Sequence, residues 1–92
     1  MNVTIRLNPK FAVAYVHRGN SKIELRDHTG AIRDYTEAIR LDPSDAMAYY
    51  NRGNAKSTLE DYSGAIQDFN EVIKLARMIL WLMVPEGSLN LI

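Results

Sequence analysis

Apolar side chains in the middle of the chain recur every three or four positions, as at Ala31, Ile32, Tyr35, Ala38 and Ile39, with charged residues between them. This i, i+3/i+4, i+7 spacing lays one apolar stripe along a helix and does not fit the alternation of a strand. Helical spacing also runs from about Ala12 to Leu25, from Ala46 to Leu59, and through Ala65, Ile66, Phe69, Val72, Ile73 and Ala76. Two of these stretches are entered through Asn8-Pro9 and Asp42-Pro43, where proline ends any helix before it. The other two begin near Thr29 and Ser63, both good N-cap residues, each followed by glycine and then the stripe. The pattern predicts four helices near 10–25, 29–42, 45–59 and 63–84. No breaker follows Ala76, and the last stripe stays in phase through Leu80, Met83 and Val84. One long helix is therefore expected from Ser63 to about Val84, stopped by Pro85.

Sliding the chain by 34 positions brings Pro9 onto Pro43, Gly19 onto Gly53, Gly30 onto Gly64 and Ala31 onto Ala65. Between 9–42 and 43–76, 17 of 34 positions are identical, and pairs such as Tyr35 with Phe69 are conservative. A repeat of this length signals a solenoid, in which a unit too small to bury its own apolar face stacks on its neighbours. Ile5-Arg6-Leu7-Asn8-Pro9 mirrors Ile39-Arg40-Leu41-Asp42-Pro43, so 1–8 is read as the last turn of a preceding unit. The expected organisation is one domain over 1–92, with repeats at 9–42 and 43–76 and a non-repeating apolar extension at 77–92. Gly19, Ala31 and Ala38 are expected where two helices cross closely.

These residues resemble the tetratricopeptide repeat, whose pattern is an aromatic, Leu-Gly, a tyrosine, an alanine, an aromatic four later and a closing proline. Tyr15, Gly19, Ala31, Tyr35, Ala38 and Pro43 match in the first unit, and Tyr49, Gly53, Ala65, Phe69 and Val72 in the second. Arg18 and Arg52 stand where that family prefers leucine, Lys22 and Lys56 where it prefers tyrosine, and Arg77 where a proline should close the second unit. The resemblance implies an all-α fold of tandem helix-turn-helix repeats, an α-solenoid, with an extended C-terminal helix. It further implies binding of a protein or peptide ligand on the concave surface lined by the first helix of each unit. Carried onto this chain, the inward positions give a groove built from Val16, His17, Asn20, Met47, Tyr50, Asn51 and Asn54, flanked by Val13, Ile23, Glu24, Ser57 and Thr58. Some relatives clamp a C-terminal carboxylate with two asparagines and three basic residues. Asn20 and Asn51 occupy the asparagine positions, but Val16 replaces the first lysine and a third repeat is absent, so a charge-assisted clamp is not expected.

Charge and composition narrow the function without choosing it. Eleven Lys and Arg balance eleven Asp and Glu, so no positive field draws nucleic acid or an anionic membrane. Cysteine is absent, 1–7 lacks a secretory signal, and the longest apolar run, Met78 to Val84, is seven residues against the roughly 20 a membrane helix needs. A soluble cytoplasmic protein is expected. No nucleophile-base pair, carboxylate pair, metal cluster or phosphate loop is present, and His17 and His28 lack an i+3 or i+4 partner. Neither enzyme activity, cofactor nor metal is expected. Asp27 and Asp61 read as turn or helix-start residues, and Glu37 with Arg40 and Glu71 with Lys74 as i, i+3 pairs.

The extension raises a second possibility. Met78, Ile79, Trp81 and Leu82 fall on faces away from the stripe, and a helix apolar all round is normally buried. Met78, Ile79, Leu80, Trp81, Leu82, Met83 and Val84 are therefore a candidate interface for a homo-oligomer, with a dimer favoured. The competing expectation is that this segment is disordered or folds back over the second unit as a cap.

Overall fold

The computed structural model describes residues 9–83. Four helices follow one another: α1 Pro9–Glu24, α2 His28–Leu41, α3 Ala46–Thr58 and α4 Tyr62–Met83. No strand occurs among the described residues, and the four expected helices are found within one or two residues of their expected ends. The expected stop at Pro85 lies outside the described residues.

Two helix starts differ from expectation. Asp27, not Thr29, caps α2, its carboxylate accepting from the Gly30 N–H at 3.0 Å. Asp61, not Ser63, does the same for α4, accepting from the Gly64 N–H at 3.0 Å. The cause is the preceding turn. Arg26 and Glu60 adopt φ of 64° and 68°. This left-handed residue closes a Schellman turn, with Asp27 N–H bonded to the Lys22 carbonyl and Asp61 N–H to that of Lys56. The chain then emerges with the aspartate in the capping position. A β-carbon on Gly30 would press on the capping Asp27 carboxylate, so a larger residue there would push the cap aside.

Consecutive helices pack on one another, α1 on α2, α2 on α3 and α3 on α4. The core is dominated by alanine: Ala12, Ala31, Ala38, Ala48, Ala55 and Ala65 are buried, together with Tyr35 and Leu41. Small side chains let helix axes approach, and the aromatics fill the crossings. The Tyr35 ring lies over Gly19 and the Phe69 ring over Gly53, as the expected spacer role of Gly19, Ala31 and Ala38 requires.

Candidate functional site

A recess of about 290 Å³ opens at the junction of the two units, lined by Asn20, Ile23 and Glu24 of α1, His28 and Tyr35 of α2, and Asn51, Asn54, Ala55 and Thr58 of α3. Helix periodicity places the α1 and α3 members. Asn20 and Glu24 share one face, as do Asn51, Asn54 and Thr58, because residues three and four apart lie one above the other. Tyr35, only 1% exposed, supplies the floor and donates its hydroxyl to Asn20 Oδ1. Burial pushes its phenol above the ordinary value, with the neighbouring Asp34 adding to the effect. Asn51 Nδ2 also donates to Asn20 Oδ1, at 3.3 Å, and so ties the two units together across the recess. Asn20 thus spends its side-chain carbonyl on two donors inside the protein.

Of the residues expected to form the groove, Asn20, Asn51 and Asn54 meet in this recess, as do the flanking Ile23, Glu24 and Thr58. Val16, His17, Met47 and Tyr50 lie outside its lining. His17, Met47 and Tyr50 are exposed, and Val16 is half-buried. The Tyr50 ring leans on Phe69 of α4, with centroids 6.0 Å apart and planes tilted by 51°. His28, Tyr35 and Ala55 complete the recess although sequence reasoning did not place them there. No lysine or arginine lines it.

Beside the recess runs a polar arrangement that appears twice. Asp34 and Asp68 are each only 2% exposed. Arg18 grips Asp34 with two parallel bonds, Nε to Oδ2 at 2.9 Å and Nη2 to Oδ1 at 2.8 Å, and Lys22 Nζ adds a contact at 3.2 Å. Arg52 and Lys56 hold Asp68 the same way, at 2.9, 2.7 and 3.3 Å. Each guanidinium also lies over a tyrosine, Arg18 over Tyr15 at 5.3 Å and Arg52 over Tyr49 at 5.7 Å. A forked guanidinium suits a carboxylate, and the aromatic face suits the cation. The arginines and lysines that depart from the usual leucine and tyrosine thus share a role, to neutralise a buried aspartate. The Arg18 hydrogen bond holds the Asp34 carboxyl below the usual carboxylate range, outweighing the opposite effect of burial, and Lys22 helps.

A family model described as TPR repeat matches residues 19–59, and one described as tetratricopeptide repeat matches residues 46–77. The chain belongs to the tetratricopeptide repeat family. No curated protein matches the chain. Tetratricopeptide repeats mediate protein–protein interaction, so a protein or peptide is the partner class this family membership supports. Among the described residues, no three His, Cys, Asp or Glu side chains gather as a metal site, and no helix is long and apolar enough to cross a membrane.

The C-terminal part of α4 departs from the tetratricopeptide pattern as the sequence anticipated. The helix continues straight through Met83 instead of turning back, so the fold-back cap is not formed by the described residues. Met78, Ile79, Leu80, Trp81 and Leu82 are all more than half exposed. Met83 ends the described helix, and Val84 lies outside the described residues. The i, i+3 pairs Glu37–Arg40 and Glu71–Lys74 are formed on the surface.

Proposed function

We propose that the chain is a non-catalytic binding module that takes a polypeptide segment in the recess between its two units. The observation that supports this is the convergence of Asn20, Asn51 and Asn54 around an open recess containing no cation. Asparagine amides suit peptide backbone: Asn20 has its amide N–H donors to give, and Asn51 and Asn54 have side-chain carbonyls to accept. Glu24 in the lining favours a neutral or basic segment over an acidic one. Without a lysine or arginine in the lining, a free C-terminal carboxylate finds no charge-assisted partner.

The test uses peptides selected on the intact chain, titrated as free acids and as C-terminal amides. Amidation is expected to leave affinity unchanged or improved. Asn51→Ala and Asn54→Ala are each expected to weaken binding about fivefold, the value of about one hydrogen bond, with helicity retained. Tyr50→Ala, which also loosens Phe69, is expected to weaken binding if the ligand extends beyond the recess. A peptide that needs its free carboxylate, or that ignores both asparagine variants, would place the site elsewhere.

A second reading is favoured by the exposed apolar turns of α4: a structural unit that self-associates, as a dimer, through Met78–Val84. Burying Leu80 and Trp81 contributes roughly 1.5–3 kcal/mol each by area, part of which offsets the cost of association. Light scattering should show a lower mass for Leu80→Glu with Trp81→Ala than for the intact chain, because the contact through these turns is lost. Equal mass for the two would remove this reading.

A further inference from the structure

The two units share a sequence register but not the same surroundings, and the difference measures what each end of the stack leaves uncovered. In α3, Ala48, Arg52 and Ala55 form an i, i+4, i+7 stripe. Ala48 is 0% exposed, Ala55 is buried, and the Arg52 side chain is 16% exposed. Their counterparts 34 residues earlier are Ala14, Arg18 and Ser21 of α1, which are all exposed. What covers the α3 stripe is α2, and Arg52 Nη1 donates to Thr36 Oγ1 across that contact at 3.1 Å. Ile32, Thr36 and Ile39 make the matching i, i+4, i+7 stripe on α2, and both isoleucines there are half-buried. Their counterparts on α4 are Ile66, Asn70 and Ile73, with Ile66 58% and Ile73 55% exposed.

One end of the molecule thus presents a bare copy of the α3 surface, and the other presents a bare copy of the α2 surface that fits it. We propose that α4 of one copy docks on α1 of a second copy, repeating between chains the α2–α3 contact made within the chain. In that contact Ile66 and Ile73 cover Ala14 and Ser21, and Arg18 donates to the Asn70 side-chain oxygen as Arg52 donates to Thr36. An open depression of about 250 Å³ bounded by Phe11, Ala14, Tyr15 and Arg18 already lies on the receiving face. Ala76–Met83 has no counterpart in α2 and takes no part in the match. The contact goes beyond peptide binding and differs from a two-fold pairing of C-terminal helices. It is heterologous, so each copy keeps a free donor face and a free acceptor face and growth continues past the dimer.

Because the two faces are different surfaces, they can be blocked separately. Ala14→Arg puts a large side chain where the internal counterpart leaves no room, and Ile73→Glu puts a charge on the opposite face. Both sites are exposed, so each chain is expected to keep its fold. The measurement is light scattering across concentration on full-length chains carrying Leu80→Glu and Trp81→Ala, which removes any contribution from the C-terminal turns. The parent on that background is expected to grow beyond the mass of two chains, and each blocked variant to lose assembly and remain monomeric. An equimolar mixture of the two variants retains one good pair of faces and is expected to stop at the mass of two chains. Phe11→Glu and Ile66→Glu form a second pair read in the same way. A parent that is monomeric throughout, variants that assemble like the parent, or two mixtures that both stay monomeric would each overturn the proposal.

Discussion

Replacing Asp68 with alanine is expected to destabilise the chain by about 2–4 kcal/mol, near the range seen when a buried ion pair loses one partner. Asp68 is 2% exposed, so its carboxylate is desolvated and depends wholly on Arg52 and Lys56. Removing it leaves two cations side by side, with side chains only 16% and 20% exposed. For a domain of this size that is a fall in melting temperature of roughly 10–25 °C. The equivalent change at Asp34 should cost less. Its partner Arg18 is 60% exposed, against 16% for Arg52, and water can take over when the carboxylate goes. Thermal unfolding followed by circular dichroism ranks the two directly. Combining Asp68→Leu with Arg52→Leu should recover part of the loss, because it removes one of the stranded charges. Equal and small effects at Asp34 and Asp68 would show that neither aspartate depends on its clamp.

Gly19→Ala is the second large effect, and its sign runs against helix propensity. In an exposed helix interior the change stabilises by about 1 kcal/mol. Here the new methyl carbon would lie 2.7 Å from Tyr35 Cε1 and 3.0 Å from Cδ1 and Cζ. The ring cannot yield cheaply, since it is 1% exposed and its hydroxyl is held by Asn20. Overpacking of this kind costs typically 1–3 kcal/mol, and because the buried, hydrogen-bonded ring puts this site in the upper part of that range, a net loss approaching about 2 kcal/mol is expected after the propensity gain. Gly53→Ala meets Phe69 at 2.8 Å, but that ring is half-buried and has no hydroxyl to hold it. It should be the milder of the two. Because Tyr35 also floors the recess, Gly19→Ala should weaken peptide binding as well as stability, whereas Gly53→Ala should spare binding. Gly19→Ala that raises the melting temperature would mean the helices separate at little cost.

The four helices and the two units were legible in the chain because both are written in short-range order. Apolar spacing of three and four residues defines a helix without reference to anything distant, and a register of 34 shared by Gly19 and Gly53 or Ala31 and Ala65 marks a repeat wherever it folds. The family resemblance, not the period itself, singled out Asn20, Asn51 and Asn54 as inward residues, and they line the recess. The turns were less legible. Arg26 and Glu60 take a left-handed conformation that glycine would advertise, so although Asp27 and Asp61 were read as turn or helix-start residues, the cap itself was expected at Thr29 and Ser63. The clamps were hidden for a different reason. Arg18 and Asp34, like Arg52 and Asp68, are 16 residues apart, and they meet only because antiparallel helices cross where a glycine lets an aromatic ring lie flat. Repetition of Arg, Lys and Asp at the shared period was the one available clue.

The sequence by itself determined that this chain is helical, repetitive and evenly charged, and that its last helix continues past the repeat without a break. Tertiary structure decided which of the inward residues share a recess, since His28, Tyr35 and Ala55 join Asn20 and Asn51 there while Tyr50 leans on Phe69. It also decided that Met78–Leu82 stays exposed and that the stripes on α1 and α4 lie bare while their copies on α3 and α2 cover each other. The physical reason is the range of the forces involved. Backbone periodicity is set by neighbours three or four residues away, whereas burial depends on which helix arrives from elsewhere in the chain, so identical residues such as Ala14 and Ala48 end in opposite environments.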